Sequence, residues 1–193
     1  MDIRNYQELA MRTSPEGHDR VLNGCMGLIG ETGEIVDVVK KWKFQSGDHA
    51  ELPKDKLIDE CGDVLWYCAE LATGLDASLS DLFIAESAYF NKMRELNETA
   101  PLEITVMRLS AIVIEPAMFL FDGLPEHDQH DFGRDWQEVQ TKAELVGIMS
   151  TIRDILEIHC GIKLEDAMEH NIEKLRRRYP DGFDPERSLH RSE

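Results

Sequence analysis

Two pairs of acids stand where a soluble helix would carry apolar residues. In GLIGETGEIVDVV, residues 27–39, Glu31 and Glu34 lie three apart. At 100° per residue they share a stripe with Gly24, Gly27, Ile35, Val38 and Trp42. In KLIDECGDVLWYCAEL, residues 56–71, Glu60 and Asp63 share a stripe with Leu57, Val64, Tyr67 and Leu71. Two successive amphipathic helices joined by a short loop pack antiparallel, which brings the four carboxylates into one volume. Four such anions cannot all stay ionised in a low-dielectric interior without compensation, and Lys56 is the nearest base. A hard divalent cation is the natural partner. An all-oxygen ligand set suits magnesium or manganese far better than zinc. A lone E-x-x-E is ordinarily a solvated edge; two acidic pairs on the apolar stripes of consecutive helices point instead to a metal site.

A second stripe carries donors. NIEKLRRRYPDGF, residues 171–183, places Asn171, Lys174 and Arg178 on one face with Leu164, Ala167 and Leu175. Donors facing a cation-loaded acidic cluster suit a substrate bearing phosphates. Taken alone, the same side chains read rather as cations that snorkel outward or pair with Glu173 and nearby acids.

The elements that must position these residues are helices, since no stretch alternates at period two. The periodicity predicts helices over about 3–12, 19–43, 54–73, 78–95, 102–121, 136–159 and 164–178, seven in all, with Pro116 kinking the fifth. The fold class is therefore an all-α helical bundle, one domain of 193 residues. The net charge of −17 repels phosphate backbones, so no nucleic-acid partner is expected. The opening MDIRNYQELAMRT has no signal-peptide core and no apolar run reaches membrane-spanning length, so no membrane association is expected. Cys25, Cys61, Cys68 and Cys160 form no C-x-x-C pair and read as buried free thiols of a cytoplasmic protein.

LIGETGE, DKLIDECGDVLWY and NIEKLRRRYPDGF, with the opening YQELAMRT, resemble the MazG-like all-α nucleoside triphosphate pyrophosphohydrolases over about residues 1–75 and 160–190. The resemblance implies magnesium-dependent hydrolysis of a nucleoside or deoxynucleoside triphosphate to the monophosphate and pyrophosphate, in nucleotide-pool control. It places Glu31, Glu34, Glu60 and Asp63 at the metal-ligand positions and Asn171 and Lys174 at the phosphate contacts. Tyr67 and Trp42 stand as candidate base-stacking residues, and Arg178 as a further substrate contact. Glu31 or Glu34 would take the proton of the attacking water. The resemblance also implies dimers or tetramers, a homodimer foremost, whereas an internally duplicated chain could act as a monomer. The alternative is a nucleotide-binding or regulatory protein on the same scaffold. A di-metal carboxylate oxidase is disfavoured because no E-x-x-H occurs.

A stretch of about 85 residues, roughly 75–160, intervenes between the acidic helices and the N-x-x-K segment, where compact family members have N-x-x-K soon after the second pair. Either an insertion or a degenerate repeat, with halves at about 18–96 and 102–179, would account for them. One register sets Gly74 on Gly161 and lays Glu60 and Asp63 on Gly147 and Ser150. A related shift lays Glu31 on Ile112 and Glu34 on Glu115; another sets Asn171 and Lys174 on Glu86 and Tyr89. The first half would then keep the metal ligands and the second the phosphate donors, making one composite site. His127 and His130 in EHDQHD read as a solvated loop, and Trp66 and Trp136 as packing residues.

Overall fold

The computed structural model describes residues 1–47, 50–84, 88–121 and 134–186. Among them there are nine α-helices and no strand: α1 (Ile3–Met11), α2 (Arg20–Gln45), α3 (Lys54–Gly74), α4 (Leu79–Ile84), α5 (Ala88–Glu98), α6 (Leu102–Ile112), α7 (Glu115–Phe121), α8 (Arg134–Asp154) and α9 (Leu164–Arg178). The all-α bundle is as expected. The helix count is not, because two expected helices are divided. Pro116 has no N–H, and its ring would crowd the carbonyl four residues back, so the helix stops at Ile112 and α7 begins anew at Glu115. The helix expected from residue 78 runs instead as α4 and α5. The acidic loop with His127 and His130, and Glu86, lie outside the described residues.

The segment Leu102–Phe121 also corrects the reading of apolar runs. It is 20 residues long with an 18-residue window of mean hydropathy 1.7, long and apolar enough to cross a membrane by length and composition. In the fold it is two helices, and Leu102, Val106, Leu109 and Val113 enter the common core.

Helix α2 starts at a true cap: the Asp19 carboxylate accepts the backbone N–H of Leu22 at 3.0 Å. Antiparallel α2 and α3 then approach so closely that side chains are excluded at two crossing points. A Cβ on Gly24 would lie 2.7 Å from that of Leu71, and one on Gly27 would lie 2.1 Å from the Tyr67 ring. Pairing Gly24 with Leu71 and Gly27 with Tyr67 sets the register. One turn further along, Glu31 comes opposite Asp63, and then Glu34 opposite Glu60. Helix α9 lies on α3 and α1; α4 and α5 lie on α8; α6 and α7 also pack on α8. Across the middle, α2 meets α6 and α3 meets α8. All four cysteines are free and buried, as expected.

Candidate active site

The register brings carboxylate oxygens of Glu31, Glu60 and Asp63 within 4.8 Å of one another. Burial and the neighbouring Asp63 and Glu60 push the Glu31 carboxyl up to about 7; Lys174 pulls the other way and does not offset them. Burial, then Asp63, also raises Glu60. A half-buried trio of carboxylates, on two of which burial and then neighbouring charge favour the proton, fits a hard divalent cation. Glu34 lies outside the trio on the exposed side of α2, near enough for its charge to raise both Glu31 and Glu60.

Helix α9 supplies the donors. Lys174 Nζ reaches Asp63 Oδ1 at 2.7 Å and the Asp59 carbonyl at 3.3 Å. The buried Asn171 donates through Nδ2 to Asp63 Oδ1 at 3.1 Å. A Cβ on Gly62 would lie 2.9 Å from Asn171 Nδ2, so glycine there admits the amide. Tyr6 completes the support: its buried hydroxyl donates to Asn171 Oδ1 at 3.0 Å. Burial and then the Asp63 charge push the Tyr6 phenol well above its ordinary range, so it stays a donor. Nothing about a lone tyrosine on a short first helix distinguishes it in sequence.

A cavity of about 230 Å³ opens beside the trio, lined by Glu31 and Asp63 at one side and by Trp66, Tyr67, Tyr179 and Phe183. Trp66 and Tyr67 meet edge to face at 4.8 Å, and Tyr179 stacks with Phe183 at 6.0 Å. Tyr67 and Arg178 both line this cavity. Trp42 does not. Eleven residues beyond Glu31, it lies about 16 Å along α2, and its indole N–H donates to the Ala50 carbonyl at 2.9 Å. Trp66, expected only to pack, lines the cavity while its indole N–H donates to Thr13 Oγ1 at 2.9 Å.

One buried acid near the cavity had no sequence signal. Glu70 is fully buried, and its carboxylate meets His18, Arg20 Nη1 at 3.0 Å and Asn23 Nδ2 at 3.4 Å. Arg20 Nη1 also donates to Ser14 Oγ at 2.9 Å. Three donors from α2 and the segment before it converge on this one anion, tying down the wall that carries Thr13 and Pro15.

A second cavity, of about 320 Å³, lies between α6, α7 and α8. Ile112, Glu115, Gly147 and Ser150 all line it. These are the positions onto which two different alignments of the halves lay Glu31 and Glu34, and Glu60 and Asp63, respectively. The Gly74–Gly161 alignment sets Tyr67 on Asp154, the separate Asn171–Glu86 alignment sets Arg178 on Met93, and Asp154 and Met93 line the second cavity as Tyr67 and Arg178 line the first.

Residues 22–96 match the family model of the MazG nucleotide pyrophosphohydrolase domain. The matched span includes both acidic pairs, Trp42 and Tyr67, and stops short of α9. A stretch of 56 residues is 48% identical to the Gene 37 protein of Mycobacterium phage L5, covering 28% of this chain and 49% of that protein. The chain thus spans about half the length of the curated relative it matches. No solved structure matches it.

Proposed function

We propose that this chain, MazG-like over residues 22–96, hydrolyses a nucleoside or deoxynucleoside triphosphate to the monophosphate and pyrophosphate, with magnesium or manganese held by Glu31, Glu60 and Asp63. The observation that carries this reading is the convergence of those three carboxylates beside an aromatic-walled cavity, with Lys174 and Asn171 bonded to the same Asp63 oxygen. A bound divalent cation would neutralise the negative charge that grows on the phosphate oxygens and on the departing pyrophosphate.

The chain's own groups divide the remaining work. Tyr67, Trp66, Tyr179 and Phe183 are the aromatic lining against which the nucleobase would pack. Lys174 and Asn171 turn from Asp63 to phosphate oxygens, so the cluster's internal donors become substrate contacts. Arg178, exposed at the rim, adds a further cation. Water forms its new bond to the α-phosphorus as the bond from that phosphorus to the bridging oxygen breaks. The electron pair leaves with pyrophosphate. The proton released by water goes to Glu34, the exposed acid beside the trio, which can pass it to solvent.

The shared positions of the two cavities support a degenerate repeat with halves at about 18–96 and 102–179. In that arrangement the first half keeps the acids, the second lends α9, and each chain builds one complete site. Two copies then associate as a cytoplasmic homodimer through the apolar stripe Leu22, Met26 and Ile29, exposed on α2, without either site needing its partner. Sedimentation would report a dimer whose turnover per chain does not fall on dilution to monomer, and nucleotide titration would saturate at one per chain.

The test of the activity is a nucleotide panel with pyrophosphate detected and magnesium varied. Metal-dependent pyrophosphate release is expected. Orthophosphate in its place, or binding without turnover, would overturn it.

A further inference from the structure

The cavity contains one polar side chain whose orientation is set by something outside the cavity. Asn23 lies half-buried on α2, eight residues before Glu31, which is about 12 Å along the helix. That separation is roughly the reach from a phosphate held at the acidic trio to the far edge of its nucleobase. Asn23 is therefore placed to meet the base rather than the phosphates.

A free asparagine amide can turn over and offer either its oxygen or its nitrogen. Here it cannot do so without loss. Its Nδ2 lies 3.4 Å from Glu70 Oε1, and Glu70 is fully buried and ion-paired to Arg20 at 3.0 Å. A carboxylate so paired only accepts, so the amide nitrogen must face it; the reverse orientation would set two oxygens against each other. Oδ1 is left for the cavity, together with the second N–H of the same nitrogen.

We propose that Asn23 reads the substrate's base, and that the preferred substrates carry an exocyclic amine beside an unprotonated ring nitrogen, the edge shared by cytosine and adenine. Oδ1 accepts from the amine, and the remaining Nδ2 hydrogen donates to the ring nitrogen. This is the two-point pairing by which asparagine matches an adenine edge elsewhere. Uracil, thymine and hypoxanthine present a carbonyl and a ring N–H at those places. Each would force like against like or turn the amide's oxygen onto Glu70. The inference rests on the reading of this cavity as the nucleotide site, and Glu70 acts in it as a positioning residue.

Matched pairs that differ only in amine against carbonyl test it: CTP with UTP, and ATP with ITP. Pyrophosphate release should favour the amine member by about tenfold or more in kcat/KM. Asn23→Ala should bring CTP and UTP within about twofold of each other. A merely structural loss would lower both and leave their ratio unchanged. Glu70→Gln, which lets the amide turn, should narrow the ratio by raising UTP turnover relative to CTP. Because Glu70 is buried, its variant is compared only after its helical circular dichroism matches the parent. Binding of CMP and UMP by calorimetry gives a readout independent of turnover. Tighter CMP binding with no pyrophosphate from any triphosphate would sustain base reading while removing the hydrolase. Equal turnover of CTP and UTP, or a ratio unmoved by Asn23→Ala, would overturn the inference and leave the hydrolase standing. Failure of every nucleotide to bind would end both.

Discussion

Asp63 on α3 and Asp154 at the end of α8 are two acids whose surroundings differ in kind. Asp154 is all but inaccessible, and Arg94 Nη1 at 2.9 Å and Asn97 Nδ2 at 2.8 Å meet its two oxygens. Arg94 also binds Glu157 at 2.8 Å, and Arg108 holds Asn97 from behind at 2.7 Å. Asp63 shares its volume with two further acids, and among the described residues Lys174 is the cation that ion-pairs with it beside them. One cluster is a closed network in which the protein answers its own buried charge. The other is left short of positive charge. Glu115 and Glu144 also line the second cavity, and burial with the Glu115 charge raises Glu144. Yet Asp154 there has Arg94 and Asn97 on its oxygens, whereas Glu31, Glu60 and Asp63 crowd within 4.8 Å of one another. The difference teaches what separates a structural charge network from a cation site: whether the sequence supplies the compensating donors or leaves them to a ligand.

The largest expected effect follows from that asymmetry. Asp63→Asn removes the carboxylate common to Lys174, Asn171 and the trio, and pyrophosphate release should fall on the order of a thousandfold. Helical circular dichroism should barely change. If a tenth of the activity persisted, the second cavity would have to be catalytic and the contrast would be lost. The mirror experiment is Arg94→Met. It strips the partner from a buried acid, which should cost about 3 kcal/mol in denaturant unfolding. Turnover per folded molecule should stay at the parental level. A large loss of turnover without loss of stability would make the second cluster functional.

A third prediction uses protons. Glu31 holds its proton up to about 7 in the folded chain, against an ordinary carboxylate value of 4.5. Between those values the folded state binds more protons than the unfolded one, so stability falls as pH rises through the window. In chelator, the melting temperature should therefore decline from pH 5 to pH 7.5. Glu31→Gln should flatten that decline and melt higher at neutral pH by roughly a few degrees. Magnesium should restore the parent, with apparent affinity weakening below pH 7 as cation and proton compete for the same oxygens. An unchanged slope in Glu31→Gln would assign the titration to another group.

The acidic trio was legible because helical period is a strong signal and charged residues on an apolar stripe violate it in plain view. The two glycines that set the register were visible only as oddities. What they admit, Leu71 and the Tyr67 ring, depends on which helix comes opposite. Tyr6, Glu70 and Asn23 act through partners up to 165 residues away, and no local pattern marks them. The split at Ile112 follows from Pro116 by a known clash, yet sequence alone leaves kink and break equally open. The alignments between halves are faint in identities, because any two amphipathic helices share a pattern of apolar positions.

The smallest effect separates two tryptophans that sequence could not rank correctly. Trp42 shares the stripe of Glu31 and Glu34, so angle alone places it with the acids. Angle says which face a residue occupies and nothing of how far along the axis it lies. Three turns on, the indole is spent on the Ala50 carbonyl, anchoring the end of α2 to the approach to α3. Trp42→Phe should cost about 1 kcal/mol for that bond and leave kcat and KM for the nucleotide unchanged. Trp66→Phe removes a comparable pair of bonds, to Thr13 Oγ1 at 2.9 Å and the Ala10 carbonyl at 3.1 Å, but from the cavity wall itself. It should raise KM several-fold with kcat little altered, because the indole contacts the base equally before and during reaction. Were Trp42→Phe the variant that raised KM, the nucleotide would lie along α2 beyond the acids and away from the aromatic cavity, and the contrast between the two clusters would have to be drawn around a different site.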